Sequence, residues 1–329
     1  MNKDDKIYVA GHRGLAGSAL TRQLATAGYA NLVTRTHAEL DLTDEAAVRA
    51  FFACERPDHV FLAAAKVGGI HANSAFPADF VYQNLAIQNN VIHQAWRAGV
   101  KRLLFLGSSC IYPRDCPQPM REAYLLTGPL EPTNRPYAIA KIAGIELCWA
   151  LNRQHHTRYI AAMPTNLYGP GDNYDLRNSH VVPALIRKMH AAKTRGDAEV
   201  LVWGTGTPRR EFLYSEDMAD ACMLLMQLPD AKLDALIDPH AANSGPPLIN
   251  IGYGEDLTVR ELAQTIADIV GFTGKLAFDP GKPDGPPRKR LDVSRMAALG
   301  WRPKINLRDG IALAYQSYLV ACPAEAGGI

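Results

Sequence analysis

Near its start the sequence reads Lys6-Ile7-Tyr8-Val9-Ala10 and continues as Gly11-His12-Arg13-Gly14-Leu15-Ala16-Gly17. The first five residues form a short apolar run, which predicts a buried strand. The glycines permit a tight turn, and they let backbone N–H groups approach a pyrophosphate at the N-terminus of the following helix, where the helix dipole favours anions. The spacing GxxGxxG is weak alone, because a glycine turn can be purely structural. Its position at the first strand–helix junction favours a dinucleotide-binding turn.

The alternation of strands and helices continues through the first half of the chain. The apolar patterns predict helices at 18–27, 45–54, 80–98 and 137–154, between strands at 6–10, 31–34, 59–64, 102–107 and 159–163. Parallel neighbours need a crossover connection, so this order predicts a doubly wound parallel α/β sheet.

The second half of the chain is less regular. Residues 166–179 are rich in Gly, Asn, Asp and Pro, residues 280–290 are basic and proline-rich, and both are predicted as loops. The remaining patterns predict helices at 181–193, 215–227, 259–270 and 307–321, and strands at 200–203 and 248–251. We expect residues 1–165 to form the dinucleotide-binding domain, with segments near 215–228 and 248–252 returning to it. Residues 166–329 are expected to form mainly a smaller α/β substrate-binding domain.

Composition excludes several classes of protein. The 329 residues are 47% hydrophobic and 21% charged, which is typical of a globular protein with a large core. The net charge of +2 comes without a basic stripe, so no nucleic-acid partner is expected. No apolar run is long enough to cross a membrane, and the charged start at residues 1–6 predicts a cytoplasmic protein. Neither a disulfide framework nor a metal cluster is expected, since the six cysteines form no CxxC pair: Cys54, Cys110, Cys116, Cys148, Cys222 and Cys322.

The end of the second predicted strand bears on the choice of cofactor. A free ribose 2′-OH usually meets an acidic residue at this point, whereas a 2′-phosphate meets arginine. Here the strand runs into Thr34-Arg35-Thr36-His37 without an acid, and Arg13 stands in the glycine turn. These residues favour NADP(H), although Arg35 as a solvated surface charge is an open alternative. Asp41 and Leu42 are suited to contact the adenine edge.

A serine, a tyrosine and a lysine form the candidate reductase site. Ser108 follows the fourth predicted strand, while Tyr137 and Lys141 are four residues apart and share one helix face. We expect the lysine ammonium to lower the tyrosine pKa toward neutrality, so that the phenol can protonate a carbonyl during hydride transfer. Ser108 can hydrogen-bond the same oxygen. A YxxxK pair alone is common by chance and more often marks an amphipathic helix. It indicates a reductase only in combination with the glycine turn and with Ser108.

The glycine turn and this trio resemble the extended short-chain dehydrogenase/reductase superfamily, whose members act on nucleotide sugars and have a Rossmann-type sheet. A more specific resemblance, to GDP-L-fucose synthases, covers nearly the whole chain. It is carried by stretches such as Leu106-Gly107-Ser108-Ser109-Cys110-Ile111-Tyr112-Pro113 and by residues 63–70, 131–134, 163–170, 178–181, 202–207, 210–213 and 282–285.

This resemblance implies one site that converts GDP-4-keto-6-deoxy-D-mannose to GDP-L-fucose, by epimerising C3 and C5 and then reducing the C4 ketone with NADPH. It assigns Cys110 as the base and His180 as the acid. Without the resemblance, an inert buried thiol and a helix cap would be the favoured interpretations of these two residues.

The resemblance also implies the binding residues. Besides the glycine turn, Arg35, His37, Asp41 and Leu42, the cofactor would contact Leu106, Gly107, Ser108, Ser109, Lys141, Pro164, Thr165, Asn166, Leu167 and His180. The GDP-sugar would contact Lys188, Trp203, Arg210 and Asp279. A solvated helix face for Lys188 and a core aromatic for Trp203 are the alternatives.

Two positions depart from the family pattern. His37 stands where related sequences often have a second arginine for the 2′-phosphate, so the preference for NADPH is expected to be weaker or more dependent on pH. Lys188 replaces an arginine, which keeps the charge and loses the bidentate geometry. The family generally forms dimers, here expected to pair through helices 80–98 and 137–154.

Three rival functions are open. A UDP-galactose 4-epimerase would regenerate its NAD within each turnover, but the acid after the second strand is missing. A 4,6-dehydratase would need an acidic pair where this chain has Ser109 and Cys110. A catalytically silent NADP-binding regulator would usually lack one member of the trio.

Overall fold

The structure is a computed structural model that describes residues 1–176, 179–238, 245–282 and 284–321. Asn178, Pro283 and Cys322 lie outside these residues, as do parts of the two predicted loops at 166–179 and 280–290. Over the described ranges, no helix combines the length and the apolar composition needed to cross a membrane.

The strands are β1 (Ile7–Ala10), β2 (Leu32–Val33), β3 (His59–Leu62), β4 (Arg102–Leu106), β5 (Tyr159–Pro164), β6 (Asn166–Tyr168), β7 (Glu199–Trp203), β8 (Arg209–Arg210), β9 (Phe212–Tyr214), β10 (Leu248–Ile251), β11 (Leu257–Thr258), β12 (Lys275–Asp279) and β13 (Arg288–Lys289). The α-helices are α1 (Leu15–Thr26), α2 (Glu45–Glu55), α3 (Ile70–Ala75), α4 (Pro77–Arg97), α5 (Arg135–His155), α6 (Val181–Arg195), α7 (Ser215–Gln227), α8 (Asp230–Ile237), α9 (Val259–Val270), α10 (Ser294–Ala298) and α11 (Leu307–Ala321).

The central sheet has the strand order β10-β5-β4-β3-β1-β2, and every neighbouring pair is parallel. Its inner strands are buried along their whole length, because helices cover both faces. The apolar residues of α2, α4 and α5 pack on one face, and those of α1 and α7 pack on the other. The predicted fold class, a Rossmann-type doubly wound parallel α/β sheet, is confirmed.

A third apolar core lies among α6, α9, α11, β7 and β9, and it forms the smaller α/β part of the fold. Short strand pairs surround it: β7 with β12, β6 with β9, and β8 between β11 and β13. Two later elements belong to the central sheet region, since α7 packs against α1 and β10 pairs with β5. The domain boundary near residue 165 stays a prediction.

Two stretches predicted as loops contain short strands, and the prediction of loop was wrong at those residues. In β6, Asn166 pairs with Phe212 of β9, and in β13, Lys289 pairs with Arg210 of β8. Both pairings join residues far apart in sequence. Local composition cannot reveal such strands, because their stability comes from the distant partner and not from an apolar run of their own.

Candidate active site

The glycine turn after β1 is packed so closely that side chains do not fit. Gly11 has φ of 84°, in the left-handed region that favours glycine. A Cβ on Gly11 would lie 2.7 Å from the amide nitrogen of Ala64, and a Cβ on Gly17 would lie 2.1 Å from the carbonyl oxygen of Gly11. The helix α1 already begins at Leu15, with Gly14 in an extended conformation as its N-cap. The turn therefore brings the helix N-terminus directly against the carboxyl edge of the sheet.

The N-terminus of α1 is open to an anion. Gly14 offers no capping side chain, and the first turn of this helix contains no acidic residue. The first backbone N–H groups of a helix have no partner within it, and the helix dipole adds a partial positive charge there. The ring of His12 lies in the same turn, with a buried Nδ1 that has no hydrogen-bond partner. These donors fit the pyrophosphate of a dinucleotide.

The two arginines expected at a 2′-phosphate have different surroundings. Arg35 forms an ion pair with the carboxylate of Glu55 and donates a 2.8 Å hydrogen bond to the carbonyl oxygen of Thr34. The alternative that Arg35 is a solvated surface charge is therefore wrong. Arg13 is exposed, and no carboxylate of the described residues lies within ion-pair distance of it. Of the two, Arg13 is the freer to meet a phosphate.

The residues beyond Arg35 divide between surface and core. His37 is exposed, and its Nδ1 lies 3.8 Å from Oδ1 of Asp41. The same carboxylate oxygen accepts hydrogen bonds from the backbone N–H and the hydroxyl of Thr43, at 2.9 and 2.8 Å, and these bonds lower the pKa of Asp41. Leu42 packs into the core beside the sheet. Of the pair expected near the adenine, only the Asp41 side chain thus reaches the surface.

Four candidate residues follow β4 and lie at the carboxyl edge of the sheet. Gly107 follows the strand, and its N–H continues the sheet by donating to the carbonyl oxygen of Ala162 at 2.9 Å. Ser108 is the N-cap of a short 3-10 turn, and its Oγ lies 3.4 Å from the backbone nitrogen of Cys110. Ser109 and Cys110 are buried, each with 6% exposure.

Tyr137 and Lys141 lie on successive turns of α5, as predicted. The Nζ of Lys141 is 5.8 Å from the centroid of the Tyr137 ring, and it donates a 2.8 Å hydrogen bond to the carbonyl oxygen of Leu106. Lys141 is buried, with 3% exposure. This bond ties α5 to the end of β4, so the tyrosine, the lysine and Ser108 belong to one region.

The predicted lowering of the Tyr137 pKa toward neutrality is wrong in direction. Burial raises the pKa of Tyr137 above its ordinary value, and burial lowers the pKa of Lys141 to about 8. Desolvation disfavours the charged form of each group and is the largest cause of both shifts. Tyr137 is therefore held as the neutral phenol, which is the form that a proton donor needs.

His180 is the N-cap residue of α6, but its side chain makes no capping hydrogen bond. The helix-cap interpretation is thus correct in placing His180 at the N-cap. It is wrong in giving the imidazole ring a capping role. The residue keeps surface exposure, while the protein atoms around the imidazole lower its pKa by desolvation. The ring is available for proton transfer.

Cys110 differs from an inert buried thiol in its electrostatic surroundings. Burial raises the pKa of Cys110, while the ammonium groups of Lys289 and Lys141 favour its thiolate. Burial also raises the pKa of Cys148, a core cysteine of α5, but no cation among the described residues opposes it there. The two cations distinguish Cys110 as a candidate base.

The stretch after β5 is held mainly by the protein itself. Thr165 donates from its hydroxyl to the carbonyl oxygen of Glu211 at 3.2 Å, and the Asn166 amide donates to the same oxygen at 2.7 Å. Pro164 is the buried end of β5, and Leu167 packs against the core on the α1 side. Their contact with a cofactor stays a prediction.

An exposed tryptophan with two lysine neighbours forms the candidate nucleotide surface. Trp203 is 56% exposed, and the Nζ atoms of Lys188 and Lys282 each lie 5.4 Å from its ring centroid. Lys188 also donates to the carbonyl oxygen of Leu201 at 3.3 Å, and burial lowers its pKa. Trp203 is therefore not a core aromatic, and Lys188 is not a fully solvated lysine on a helix face. Both alternatives from the sequence are wrong.

Asp279 and Arg210 extend this surface. Asp279 pairs with Trp203 in the β7–β12 register, and its carboxylate accepts a 2.9 Å hydrogen bond from the N–H of Gly281. Arg210, in β8, donates to the carbonyl oxygen of Asp284 at 2.9 Å, and burial lowers its pKa. A desolvated guanidinium and an ammonium near an aromatic ring suit a nucleoside diphosphate.

Sequence reasoning missed two lysines of this region. Lys282 lies near Trp203, and the charge of Lys289 favours the thiolate form of Cys110. Both belong to the predicted loop 280–290. Its basic composition was the available signal, but composition alone does not show which of its cations face the site.

Comparison with known proteins assigns the class. Residues 7–245 match the NAD dependent epimerase/dehydratase family, and the chain belongs to this family.

Particular relatives are similar over almost the full length. The chain is 56% identical to GDP-L-fucose synthase 1 of Arabidopsis thaliana, with 97% of this chain and 94% of that protein covered. It is 54% identical to the GDP-L-fucose synthase of Escherichia coli K12, with 95% and 96% covered. A solved structure of a GDP-mannoheptose C4 reductase from Campylobacter jejuni with NADP bound is similar with a TM-score of 0.86, at 41% identity and with 97% and 99% covered.

Proposed function

We propose that this protein converts GDP-4-keto-6-deoxy-D-mannose to GDP-L-fucose, by inverting C3 and C5 and then reducing the C4 ketone with NADPH. The observation that carries this proposal is the identity of 54% and 56% to GDP-L-fucose synthases over nearly the whole chain. The candidate base, acid and proton donor add chemical support, because one reaction uses all of them.

The cofactor is NADP(H), and this chain offers residues that fit it. The open N-terminus of α1 suits the pyrophosphate, and Arg13 suits the 2′-phosphate. NADPH, when bound, supplies the hydride that the C4 ketone receives. His37 lacks the planar guanidinium fork of an arginine, so the hold on that group is expected to be weaker than with a second arginine.

Epimerisation uses Cys110 and His180. Hydrogens on C3 and C5 are acidic because the C4 ketone stabilises the enolate. The Cys110 thiolate takes the proton from one face, the electron pair moves onto the C4 oxygen, and the His180 imidazolium returns a proton on the other face. Because the pKa of Cys110 is raised and that of His180 is lowered, the productive thiolate–imidazolium state is a minor fraction of the enzyme.

Reduction uses the neutral phenol of Tyr137. It gives its proton to the C4 oxygen as the ketone becomes an alcohol, and Ser108 donates a hydrogen bond to the same oxygen. Lys141, fixed to the carbonyl oxygen of Leu106, keeps a positive charge beside the tyrosine and stabilises the phenolate that remains.

The GDP end is held by the surface around Trp203. The aromatic ring offers a stacking face, while Lys188, Lys282 and the desolvated Arg210 offer charge to the pyrophosphate. Asp279 stands at the nucleotide end as a hydrogen-bond acceptor.

One assay tests the whole proposal. GDP-4-keto-6-deoxy-D-mannose is mixed with the enzyme and NADPH, the loss of NADPH absorbance is followed, and the product sugar is identified. GDP-L-fucose is the expected product. A reduced sugar with unchanged C3 and C5 would instead make the protein a simple C4 reductase, and no NADPH oxidation would favour the silent regulator.

A homodimer through α4 and α5 is a further part of the proposal. Apolar side chains of these helices are exposed, including Tyr82 at 71% and Ile139 at 44%. Burial of such a surface against a second copy would be favourable. Sedimentation as a monomer at micromolar concentration would contradict it. The cytoplasmic location expected from sequence stays a prediction, which cell fractionation tests.

A further inference from the structure

Cys110 lies in a single 3-10 turn, Ser109–Ile111, which follows β4. Ser108 caps this turn, with its Oγ 3.4 Å from the backbone nitrogen of Cys110. The N–H of Ile111 donates to the carbonyl oxygen of Ser108 at 3.2 Å. One turn of helix contains few hydrogen bonds of its own and is marginal by itself. The position of the Cys110 thiol therefore depends on what holds the two ends of the turn.

The first end of the turn continues the sheet strand β4, and the other end is held by the side chain of Tyr112. This tyrosine is the C-cap residue of the turn and is 3% exposed. Its hydroxyl donates a 2.6 Å hydrogen bond to Oδ1 of Asn250, in the edge strand β10 of the central sheet. The two residues are 138 positions apart in sequence. The contact thus ties the turn to a sheet strand and not to its own loop.

Asn250 is the one polar residue of the apolar strand Leu248–Ile251, and it is 0% exposed. Its Nδ2 donates to the carbonyl oxygen of Met120 at 2.9 Å and to that of Asp292 at 3.2 Å. Carbonyl oxygens only accept hydrogen bonds, so these two contacts determine which side of the amide carries the N–H groups. Oδ1 must then face Tyr112, and the phenol is the donor. A buried amide is costly unless it is hydrogen-bonded, and when every partner is present it specifies one arrangement.

The segments that Asn250 joins are also tied to each other. The N–H of Asp292 donates to the carbonyl oxygen of Met120 at 2.8 Å, and the N–H of Met120 donates to that of Arg290 at 2.7 Å. The backbone N–H of Asn250 donates to Oε1 of Glu122 at 3.0 Å. The amide of Asn250 therefore cannot follow a movement of the turn, and it acts as a fixed point for the Tyr112 hydroxyl.

We propose that Asn250 is a positioning residue for epimerisation, which acts through the Tyr112 hydroxyl to hold the Cys110 turn against the sheet. This inference rests on the proposed function, in which the Cys110 thiolate takes the substrate proton. Neither Asn250 nor Tyr112 gains or loses a proton in that step. Their effect is on the distance and direction of the sulfur relative to the C–H bond, and reaction rates are sensitive to such placement.

Exchange of substrate hydrogens without NADPH tests this inference. With GDP-4-keto-6-deoxy-D-mannose in deuterated water, the wild type should exchange the C3 and C5 hydrogens. Tyr112→Phe removes one oxygen atom and keeps the ring, and it should exchange about 10- to 100-fold more slowly at saturating substrate. Affinity for NADPH should not change. Asn250→Ala should also slow exchange, and the double variant should be no slower than the slower single variant, because both residues act through one hydrogen bond.

Two control variants separate the position of the thiol from the stability of the fold. Tyr315→Phe removes the hydroxyl of another buried tyrosine, which lies 2.9 Å from Nδ1 of His190 in the third apolar core. Asn152→Ala removes another buried amide, which donates to the carbonyl oxygen of Tyr159 at 2.7 Å. Each control should lower the free energy of unfolding, as its counterpart does, and should keep the wild-type rate of exchange. Equal slowing of exchange in the controls would reduce the effect to lost stability and would overturn the inference.

The product of the complete reaction gives a second measurement. With NADPH present, slower epimerisation lets C4 reduction overtake it, so Tyr112→Phe should yield a larger share of reduced sugar with unchanged C3 and C5. A general loss of stability slows both steps and leaves the product composition unchanged. Wild-type exchange in folded Tyr112→Phe and Asn250→Ala enzymes would contradict only the role of Asn250, whereas a wild type without exchange would contradict the proposed function.

Discussion

Lys188 lies with its Nζ 5.4 Å from the centroid of the exposed Trp203 ring. The ammonium of Lys282 lies at the same distance from that ring. An exposed aromatic face with two cations beside it matches a ligand that joins a flat base to a pyrophosphate, which is the form of a GDP-sugar.

Replacing Trp203 should weaken substrate binding without affecting the chemistry. Stacking of a base on an aromatic side chain contributes about 1–3 kcal/mol, so Trp203→Ala should raise KM for the GDP-sugar by about tenfold or more. The rate of C3 and C5 exchange at saturating substrate should not change. Lys188→Arg is the matched variant, and it should keep or lower KM because guanidinium binds phosphate in a bidentate manner. A fall in kcat alone in Trp203→Ala would refute this role.

Arg13 should matter more than Arg35 for NADPH. Arg13 has no carboxylate partner among the described residues, whereas Arg35 is paired with Glu55. A hydrogen bond to a charged group contributes about 1.5–3 kcal/mol, so Arg13→Ala should raise KM for NADPH by about 10- to 100-fold and hardly change that for NADH. Arg35→Ala should have the smaller effect. Equal effects of Arg13→Ala on both cofactors would remove the 2′-phosphate assignment.

Removing the Tyr137 hydroxyl should separate the two reactions. A positioned general acid contributes about 10²–10⁴-fold in rate, so Tyr137→Phe should slow C4 reduction by that factor. Exchange at C3 and C5 should continue, because it depends on Cys110 and His180. Cys110→Ala is the opposite variant, which should lose exchange. Loss of exchange in a folded Tyr137→Phe enzyme would show that the two steps share this residue.

Reduction should slow at alkaline pH. Burial lowers the pKa of Lys141 to about 8, so its ammonium is present below that pH and is lost above it. The positive charge that stabilises the Tyr137 phenolate disappears with it, and the rate of NADPH oxidation should fall as pH rises through about 8. The Lys141→Met variant should be slow at every pH and lack this limb. An unchanged alkaline limb in Lys141→Met would assign it to another group.

Glu211 should make the fold less stable as pH rises. It is 0% exposed, and burial raises its pKa from 4.5 to about 7. The folded state therefore binds this proton more tightly than the unfolded state, and the associated stability is complete below the unfolded pKa and lost as pH rises through about 7. The loss is on the order of 3 kcal/mol. Urea unfolding of Glu211→Gln should lack this slope, while Glu199→Gln at an exposed site should keep it.

The central sheet could be predicted from sequence because its signals are local. Each inner strand is a contiguous apolar run, and the helices carry their own boundaries. In α9, Thr258 and Glu261 form a capping box and Gly271 closes the helix in the left-handed conformation, so the predicted limits 259–270 match the structure.

The remaining features depend on contacts that a local pattern does not contain. The strands β12 and β13 exist through pairing with β7 and β8. Burial raises the pKa of Tyr137, whereas the sequence led us to expect that Lys141 would lower it. Burial is a property of the folded chain, so a local pattern does not show it. The electrostatic effect of Lys289 on the pKa of Cys110 likewise needs β13 in place. The sequence suggested which residue types carry the chemistry. It did not show which charged side chains are desolvated by burial in the folded protein.

The edge strand β10 has a consequence for how the chain can be made and cut. It completes the central sheet beside β5, although α6 and α7 come between them in sequence. During synthesis, β5 stays an open edge until residues 248–251 have left the ribosome, and an open apolar edge invites pairing with other chains. A fragment that stops near residue 165 has the same open edge permanently. Residues 1–165 are therefore not a module that can be excised by a single cut.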